Sequence, residues 1–460
     1  MGGRRAHLGV WLTILALWIG AGGSVMRAAD APATPALSLC LQGVSLKNKS
    51  AAALFDALAG VDVGLPVRDA RADDPDGNCL GKGPWSARLA AMAQPGAPDL
   101  YLLQNEDVAA AAASGAALDL SPFARVQNGL RSDLATLPQP LLPLAGSTLR
   151  GIPFSVDIGG FVYIKNTFRQ LGLAPNPDWT WSDFLVTADK LKAYYNFFAV
   201  HNRFATGIGF NADQIEALVP FFWSNGGELL SDDGTQVLFD STVNRDTAQW
   251  IAALFQRNSI TLFDNARGIY GAFVGNQLGM VPGTLSQGLA GFSFRRRRID
   301  TGWLPYPVAP SGQSVSPLTE AAVIVNDKTA NPVAAVQVAR WLFGDGQRFA
   351  GSFGPGFPVR TELLPVSATA DQKAIMDMAL KAAQTGRTAH AIMAASGEPT
   401  DPNSTLVANL AGLAHGTLPA WLFMERIDRA LQQMAPKPGE AESSAATGDS
   451  AGAATAPASS

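Results

Sequence analysis

The sequence has little of the chemistry that enzymes, metal-binding proteins and nucleic-acid-binding proteins use. It contains four histidines and two cysteines in 460 residues, and none of them has a partner at the spacing typical of metal ligands. The motifs G-x-S-x-G, H-E-x-x-H, C-x-x-C and the P-loop are absent. The net charge of −4 provides no basic surface for nucleic acid. The sequence therefore predicts a non-catalytic protein with no metal, no cofactor and no nucleic-acid partner.

Strong charge is also lacking, while apolar residues are plentiful. Hydrophobic residues make up 47% of the chain and charged residues 16%, which is ordinary for a soluble globular protein. A chain of 460 residues exceeds the length that one hydrophobic core usually supports. We therefore expect two lobes or domains.

The N-terminus has the pattern of a secretory signal peptide. Two arginines precede the apolar run VWLTILALWIG (residues 10–20), and Ala29 and Ala31 form an A-x-A arrangement after it. The apolar run is too short to span a bilayer, which needs about 20 residues. We expect residues 1–33 to be removed by cleavage near residues 28–33, so that the mature protein is periplasmic.

Export would place the two cysteines in an oxidising compartment. Cys40 and Cys79 could then form one disulfide. Two buried free thiols are the alternative, and the sequence alone leaves both open.

The C-terminal residues 436–460 contain no large apolar side chain. Such a segment cannot bury enough surface to offset the entropy lost on ordering, so we expect a disordered tail.

Strand-like and helix-like segments alternate between these two ends. This order predicts right-handed βαβ units around a mainly parallel sheet, whose ligands bind beyond the carboxyl ends of the strands. The expected strands are 38–44, 61–67, 98–104, 161–166 and 206–210, with a hairpin over 228–239. The expected helices are 51–60, 85–94, 106–116, 166–173, 179–195, 213–225 and 245–258.

The stretch GIPFSVDIGGFVYIKNTFRQLGL (residues 151–173) interrupts this alternation. Asp157, Gly159 and Gly160 lie inside an apolar run, and glycine inside a strand usually marks a kink or a close backbone approach. We predict that the strand breaks here and that the chain crosses from one α/β body to a second one.

Several segments, in order across residues 37–430, together resemble the family 1 extracellular solute-binding proteins of ABC importers, which include maltose-binding protein. The segments that carry the resemblance are GAPDLYLLQNEDVAAAAASGAALDLSPF (96–123), the 151–173 stretch with TWSDFLVTADKL (180–191), FFWSNGGELLSDDGTQVLFDS (221–241), SPLTEAAVIVNDKTANPVAAVQVARWLF (316–343) and FGPGFPVRTEL (353–363).

The resemblance implies an α/β, two-lobed periplasmic-binding-protein fold of type II. Each lobe would be a mainly parallel sheet flanked by helices, and the cleft between the lobes would close around a ligand. The family topology gives lobe 1 residues 34–155 with a return segment 318–355, and lobe 2 residues 156–317 with C-terminal helices 356–435. A monomer that delivers its cargo to an inner-membrane ABC permease is expected.

The first crossover and the loops after strands supply the candidate ligand-binding residues. Asp157 matches an acidic ligand-contacting position of maltose-binding protein, and a cap that stabilises the hinge is its alternative role. The other candidates, each of which could be only a turn or cap residue, are Gln42 and Ser45, Gln104 and Glu106, Asn211 and Asp213, Gly283 and Thr284, and Glu320.

Aromatic residues of the family site are not matched here. Leu103 and Leu285 stand where maltose-binding protein stacks tryptophans on its sugar, and Phe210, Phe357 or Trp303 would have to substitute for them. A tyrosine pair at 194–195 could hold ferric ion in another class of binding protein, but its place in an amphipathic helix favours packing.

These features favour an exported, non-catalytic component of an ABC importer that binds a small carbohydrate or polyol. The first alternative is a binding protein for another small polar or cationic ligand, given the acids at 106, 157, 213 and 320. A periplasmic hydrolase or lyase that uses cleft carboxylates, and a protein that signals through a receptor, are the further alternatives.

Overall fold

The computed structural model of the chain describes residues 35–434 with internal gaps. The gaps are 74–78, 81–84, 105, 127–129, 146, 199–205, 213–216, 230, 232–235, 258, 295–296, 354–355, 361–368 and 389–404. The expected signal peptide and C-terminal tail lie outside the described residues. No helix in the described part is long and apolar enough to cross a membrane.

The strands position the candidate site. Their bounds are β1 Leu37–Leu41, β2 Val67–Asp69, β3 Leu100–Gln104, β4 Leu144–Ala145, β5 Thr148–Leu149, β6 Ile152–Ile164, β7 Thr206–Asn211, β8 Ile260–Phe263, β9 Leu278–Thr284, β10 Phe292–Phe294, β11 Arg297–Ile299, β12 Thr301–Leu304, β13 Pro317–Val325, β14 Phe357–Pro358 and β15 Arg387–Thr388.

Helices fill the connections between the strands. Their bounds are α1 Lys49–Leu58, α2 Trp85–Met92, α3 Glu106–Ala113, α4 Ser121–Val126, α5 Leu130–Leu134, α6 Lys165–Gln170, α7 Trp181–Phe198, α8 Val219–Ser224, α9 Thr242–Phe255, α10 Ala266–Val274, α11 Leu285–Ala290, α12 Pro332–Phe343, α13 Ala350–Phe353, α14 Ala370–Gln384, α15 Thr405–Ala414 and α16 Ala420–Met434.

The main sheet contains two parallel groups of strands joined by antiparallel crossover strands. Its order is β2-β1-β3-β13-β6-β9-β7-β8. In the first group β1 pairs in parallel with β2 and β3, and in the second β7 pairs in parallel with β8 and β9. The strands β13 and β6 lie between the groups and are antiparallel to each other and to their neighbours. Along this path, β6 and β13 therefore connect the two parallel groups.

The predicted break in the strand at residues 157–160 is wrong. β6 runs without interruption over 13 residues and changes partner instead, from β13 at Ile152–Ile158 to β9 at Gly159–Tyr163. A Cβ at Gly160 would collide with the backbone oxygen of Leu304 and lie 2.6 Å from Nε1 of Trp303. The glycine is thus required by a close approach of β12 and does not end the strand.

Two further boundaries differ from expectation. The segment 61–67 forms a turn, and only Val67 belongs to a strand, because Gly64 has a φ of +78° and its N–H is bound by the side chain of Asp62. The helix expected over 213–225 covers Val219–Ser224 among the described residues. Of the hairpin expected over 228–239, residues 230 and 232–235 lie outside the described residues.

The hydrophobic core divides into a larger cluster beneath both strand groups and an aromatic cluster beneath the second. In the aromatic cluster Phe161 packs against Trp179, Phe184 and Tyr306, with ring centroids 5.0–5.9 Å apart. A third, smaller cluster surrounds Cys40 on the other face of the first strand group. The helices are thus fixed against the sheet on both faces.

The structure contains a disulfide between Cys40, the fourth of the five residues of β1, and Cys79. Cys40 is fully buried and packs in the cluster with Tyr101 and Leu103. The bridge therefore attaches the segment after β2 to β1, two residues before Gln42.

Candidate ligand-binding site

The carboxyl ends of both strand groups lie beside the same stretch of β6. Gln104, at the end of β3, is opposite Ala321 of β13, and Thr319 of β13 is opposite Asp157. Thr284, at the end of β9, is opposite Gly159. Ligands of open α/β sheets bind in the crevice beyond such strand ends. The candidate site is therefore the region around residues 157–160 of β6, flanked by the ends of β1, β3, β7 and β9.

A hydrogen-bonded chain fixes the polar residues that follow β1 and β3. Oε1 of Gln42 accepts the backbone N–H of Gln104 at 2.8 Å, and Nε2 of Gln104 donates to the carbonyl of Phe353 at 2.6 Å. Nε2 of Gln42 also donates to Asp107, whose carboxylate accepts from Arg88 at 2.6 Å. The two glutamines are thus held in fixed orientations at the edge of the first strand group.

Arg88 and Asp107 belong to this site but are not among the sequence-predicted residues. Asp107 is 2% exposed, and its charge is balanced by the guanidinium of Arg88. Its position next to Glu106, directly after β3, is the signal that could have identified it. The partner of Asp107 lies 19 residues earlier on α2, and no sequence pattern joins the two.

A buried arginine supports the loop that follows β1. The side chain of Arg71 is 1% exposed, and its Nη1 donates to the carbonyls of Val44 and Ser45 at 2.9 and 3.0 Å. Its other donors form a bidentate pair with Asp69. Ser45, a predicted contact residue, is exposed. It lies on a loop whose backbone carbonyls accept hydrogen bonds from the buried Arg71.

Asp157 connects β6 with the first turn of α11. Its Oδ1 accepts the N–H groups of Ile158 and Ser286, both at 3.0 Å, and its Oδ2 accepts the hydroxyl of Ser286. The residue is 4% exposed. Its direct contact with a ligand remains a prediction, while the capping of α11 is a contact that the structure contains.

Gly283 and Thr284 form the other half of this connection. Thr284 is the N-cap of α11: its N–H donates to Oε1 of Gln287 at 2.9 Å, and its Oγ1 lies 3.0 Å from Oγ of Ser286. A Cβ at Gly283 would lie 2.7 Å from Oε1 of Gln287. Thr284 is half-buried at the end of β9, opposite Gly159 of β6.

Glu320 and Asp157 do not converge, although both lie at the crossover. Glu320 is opposite Val156 in the β13–β6 ladder, whereas Asp157 is opposite Thr319. Directly opposite residues share a face, and successive residues alternate between faces. The two carboxylates therefore project to opposite faces of the ladder, with Phe357 of β14 beside Val156 on the face of Glu320.

The remaining polar candidates are described only in part. Asn211 is buried at the end of β7, and the following residue, Ala212, donates its N–H to Phe263 at 2.8 Å. Asp213 lies outside the described residues. Glu106 begins α3, and its side chain is not described.

The aromatic candidates differ in their access to solvent. Leu103 and Leu285 are buried in the core, and so are Phe210 and Trp303. Phe357 is half-buried. Of the three aromatic residues named as substitutes, Phe357 alone keeps exposed surface with which a ligand could stack.

The tyrosine pair on α7 is part of the helix packing. Tyr195 is buried, its hydroxyl lies 3.0 Å from Oγ1 of Thr167, and burial raises the pKa of its phenol. The hydroxyl of Tyr194 donates to Gln170. Among the residues that the structure describes, no group of His, Cys, Asp and Glu side chains could hold a metal ion.

A separate groove lies between the 305–315 loop and α14. Its volume is about 400 Å³, and its polar lining includes Gln313 and Thr385. Two ion pairs border it, Lys381 with Asp178 at 2.7 Å and Arg387 with Glu228 at 2.5 Å. The groove is distinct from the region around β6.

Comparison with known proteins agrees with the fold expected from the sequence. The family model described as bacterial extracellular solute-binding protein matches residues 81–349, more than half of the chain. No curated protein sequence matches the chain.

Solved structures of similar fold cover most of the chain at low sequence identity. The sugar-binding protein MalE of Xanthomonas citri is 14% identical, with a TM-score of 0.65, 90% of this chain covered and 100% of the other. The cyclic alpha-maltosyl-1,6-maltose binding protein of Arthrobacter globiformis is 14% identical, with a TM-score of 0.62 and coverages of 87% and 99%. UgpB of Mycobacterium tuberculosis, in complex with glycerophosphocholine, is 16% identical, with a TM-score of 0.59 and coverages of 84% and 94%.

The fold is therefore the expected one: α/β, with two lobes of the periplasmic-binding-protein type around a cleft. In the main sheet β6 and β13 lie between the two parallel strand groups. With the family match over residues 81–349, the chain belongs to the family of bacterial extracellular solute-binding proteins.

Proposed function

We propose that this protein is the substrate-binding component of an ABC importer and that it captures a small carbohydrate or polyol in the cleft. The observation that carries the proposal is the meeting of polar strand ends from both parallel strand groups at residues 157–160 of β6. A ligand seated there would contact both lobes at once, which is the condition for a ligand-driven closure.

The chemistry of the flanking side chains suits a neutral ligand rich in hydroxyl groups. Gln42, Gln104 and Asn211 carry amides, which can both donate and accept hydrogen bonds, and Thr284 carries a hydroxyl. Sugar hydroxyls have the same dual capacity. Two of the acidic side chains already have partners inside the protein: Asp107 pairs with Arg88, and Asp157 accepts hydrogen bonds from the first turn of α11.

Capture and release would follow from motion about the crossover strands. Binding to the end of β3 in one lobe and the end of β9 in the other would stabilise the closed form in proportion to its extra contacts. The closed protein would then dock on an inner-membrane permease and release its cargo unchanged. Export by the N-terminal signal peptide would place it in the periplasm for this task.

A thermal-shift screen of the mature chain, beginning after residue 33, tests the proposal. The panel contains maltose, maltotriose, monosaccharides, glycerol and other polyols, sugar phosphates, glycerophosphocholine and choline. A true cargo at 100 times its Kd should stabilise the protein by about 2.7 kcal/mol.

Two matched threonine variants locate the site. Thr284→Val should remove most of the shift, because the hydroxyl at the end of β9 is lost. Thr385→Val removes a hydroxyl from the separate groove, where it donates to the carbonyl of Ser314 at 2.8 Å, and should keep the shift. A shift by choline without any by carbohydrates, or recovery of a chemically altered ligand, would contradict the proposal.

A further inference from the structure

The contacts of Asp157 determine the direction of two hydroxyl hydrogen bonds. A carboxylate has no proton to donate and can only accept. The hydroxyl of Ser286 bonds to Oδ2 of Asp157, so its single hydrogen is committed to that bond. Toward any other partner, Ser286 can only accept.

The direction of the next bond follows from this constraint. Oγ1 of Thr284 lies 3.0 Å from Oγ of Ser286, and one of the two must donate. Because the hydrogen of Ser286 is directed at Asp157, Thr284 is the donor. The hydrogens of both hydroxyls therefore point inward along the relay Thr284–Ser286–Asp157.

Because its hydrogen is directed at Ser286, the Thr284 hydroxyl can offer any further partner only its lone pairs. One of them receives the N–H of Gln287 at 3.5 Å, a long bond that leaves acceptor capacity free. The side chain is half-buried and lies at the end of β9, opposite Gly159 of the crossover strand. A ligand in the cleft would meet this hydroxyl as an acceptor.

We infer that Asp157 is a positioning residue that fixes Thr284 as a hydrogen-bond acceptor, so that the site selects a ligand with a hydroxyl or N–H donor at this place. The inference rests on the proposed function for the existence of a ligand. Asp157 acts through Ser286 and needs no contact with the ligand itself.

Asp157→Asn should reverse the relay. Oδ1 is held by two N–H donors, from Ile158 and Ser286, so the oxygen of the new amide stays at that place and its NH₂ faces the hydroxyl of Ser286. Ser286 then accepts from the amide and donates to Thr284, whose own hydrogen becomes free for a ligand. The variant keeps the shape of the site, while the Thr284 hydroxyl changes from a hydrogen-bond acceptor to a donor toward the ligand.

The probes are maltose and its monodeoxy and monofluoro derivatives, titrated by calorimetry. Fluorine cannot donate a hydrogen bond, so fluorination of the hydroxyl that meets Thr284 should weaken binding to the wild type by about three- to tenfold. The Asp157→Asn and Ser286→Ala variants should each lose this preference for hydroxyl over fluorine. Thr284→Ser keeps the hydroxyl and should keep the preference.

Asp183→Asn is the matched control for the change of charge. Asp183 also accepts a backbone N–H and a threonine hydroxyl, from Thr180, but it caps α7 at an exposed position. This variant should retain the wild-type preference. If Asp157→Asn weakens all probes by the same factor and Ser286→Ala weakens none, Asp157 contacts the ligand directly and the inference is overturned.

A second measurement needs no ligand. Neutron diffraction from the deuterated mature protein should show the deuterium of Thr284 directed at Ser286, and that of Ser286 directed at Asp157. The opposite directions would overturn the inference. If maltose does not bind the wild type, the failure counts against maltose as cargo under the proposed function, and the neutron map decides the relay on its own.

Discussion

Removing the disulfide should cost stability without changing ligand affinity. Replacing both Cys40 and Cys79 with serine opens a covalent loop of 39 residues. In the chain-entropy treatment, closing a loop of this length restricts the unfolded chain by about 13 cal/mol/K, or about 4 kcal/mol at 25 °C. We therefore expect the free energy of unfolding to fall by about 4 kcal/mol, a large part of the stability of an ordinary domain.

Affinity should persist because the site residue Gln42 is held by hydrogen bonds that do not involve the bridge. Cys40 is fully buried in the cluster with Tyr101 and Leu103. Gln42, two residues later, is held by its own bonds to the backbone of Gln104 and to Asp107. The hydrogen bonds that orient Gln42 after β1 therefore remain when the bridge is absent.

Urea unfolding of wild type and double-serine variant, each with and without reductant, measures the stability. Calorimetric titration at a temperature where both are fully folded measures the affinity. Reductant should destabilise the wild type alone. A loss of less than about 1 kcal/mol would refute the loop-entropy argument, and a selective loss of affinity in the folded variant would refute the separation of bridge and site.

Three more variants test the support of the site. Gly160→Ala should destabilise the protein by several kcal/mol, since the added methyl meets the backbone oxygen of Leu304, which cannot rotate away; normal stability in urea unfolding would contradict the close approach. Arg71→Met should cost about 3–5 kcal/mol because Asp69 loses its buried cation, and a neutral result would contradict the role of that ion pair. The hydrogen bonds from Thr180 lower the pKa of Asp183 below its ordinary value of 3.8, so its contribution is present above pH 3.8 and is lost as the pH falls through the lower folded value. Below pH 3.8, wild-type stability should therefore fall more steeply than that of Asp183→Asn, and parallel curves would contradict this assignment.

The sequence predicted most elements because their signals are local. The alternation of apolar segments located β1, β3 and β7. The start of α7 is equally local, since it is fixed by reciprocal hydrogen bonds between Thr180 and Asp183, three residues apart. The break in β6 was predicted wrongly for a physical reason. Glycine weakens an isolated strand, but here neighbouring strands approach so closely that a larger residue would not fit.

The candidate site was harder to predict because its bonds join distant segments. Asp157 was selected at the crossover, yet its partner Ser286 lies 129 residues later. Asp107 and Arg88 form an ion pair from two different helices, and neither helix carries a motif. The face of the sheet to which Glu320 projects depends on the register of β13 against β6. The sequence alone does not specify this register.

A crystal structure of the mature protein with a ligand from the thermal-shift screen tests the central claim most directly. The account predicts ligand density beyond the carboxyl ends of β1, β3, β7 and β9, beside residues 157–160, with a ligand donor within hydrogen-bonding distance of Thr284. Density in the groove between the 305–315 loop and α14, with an empty cleft, would contradict it.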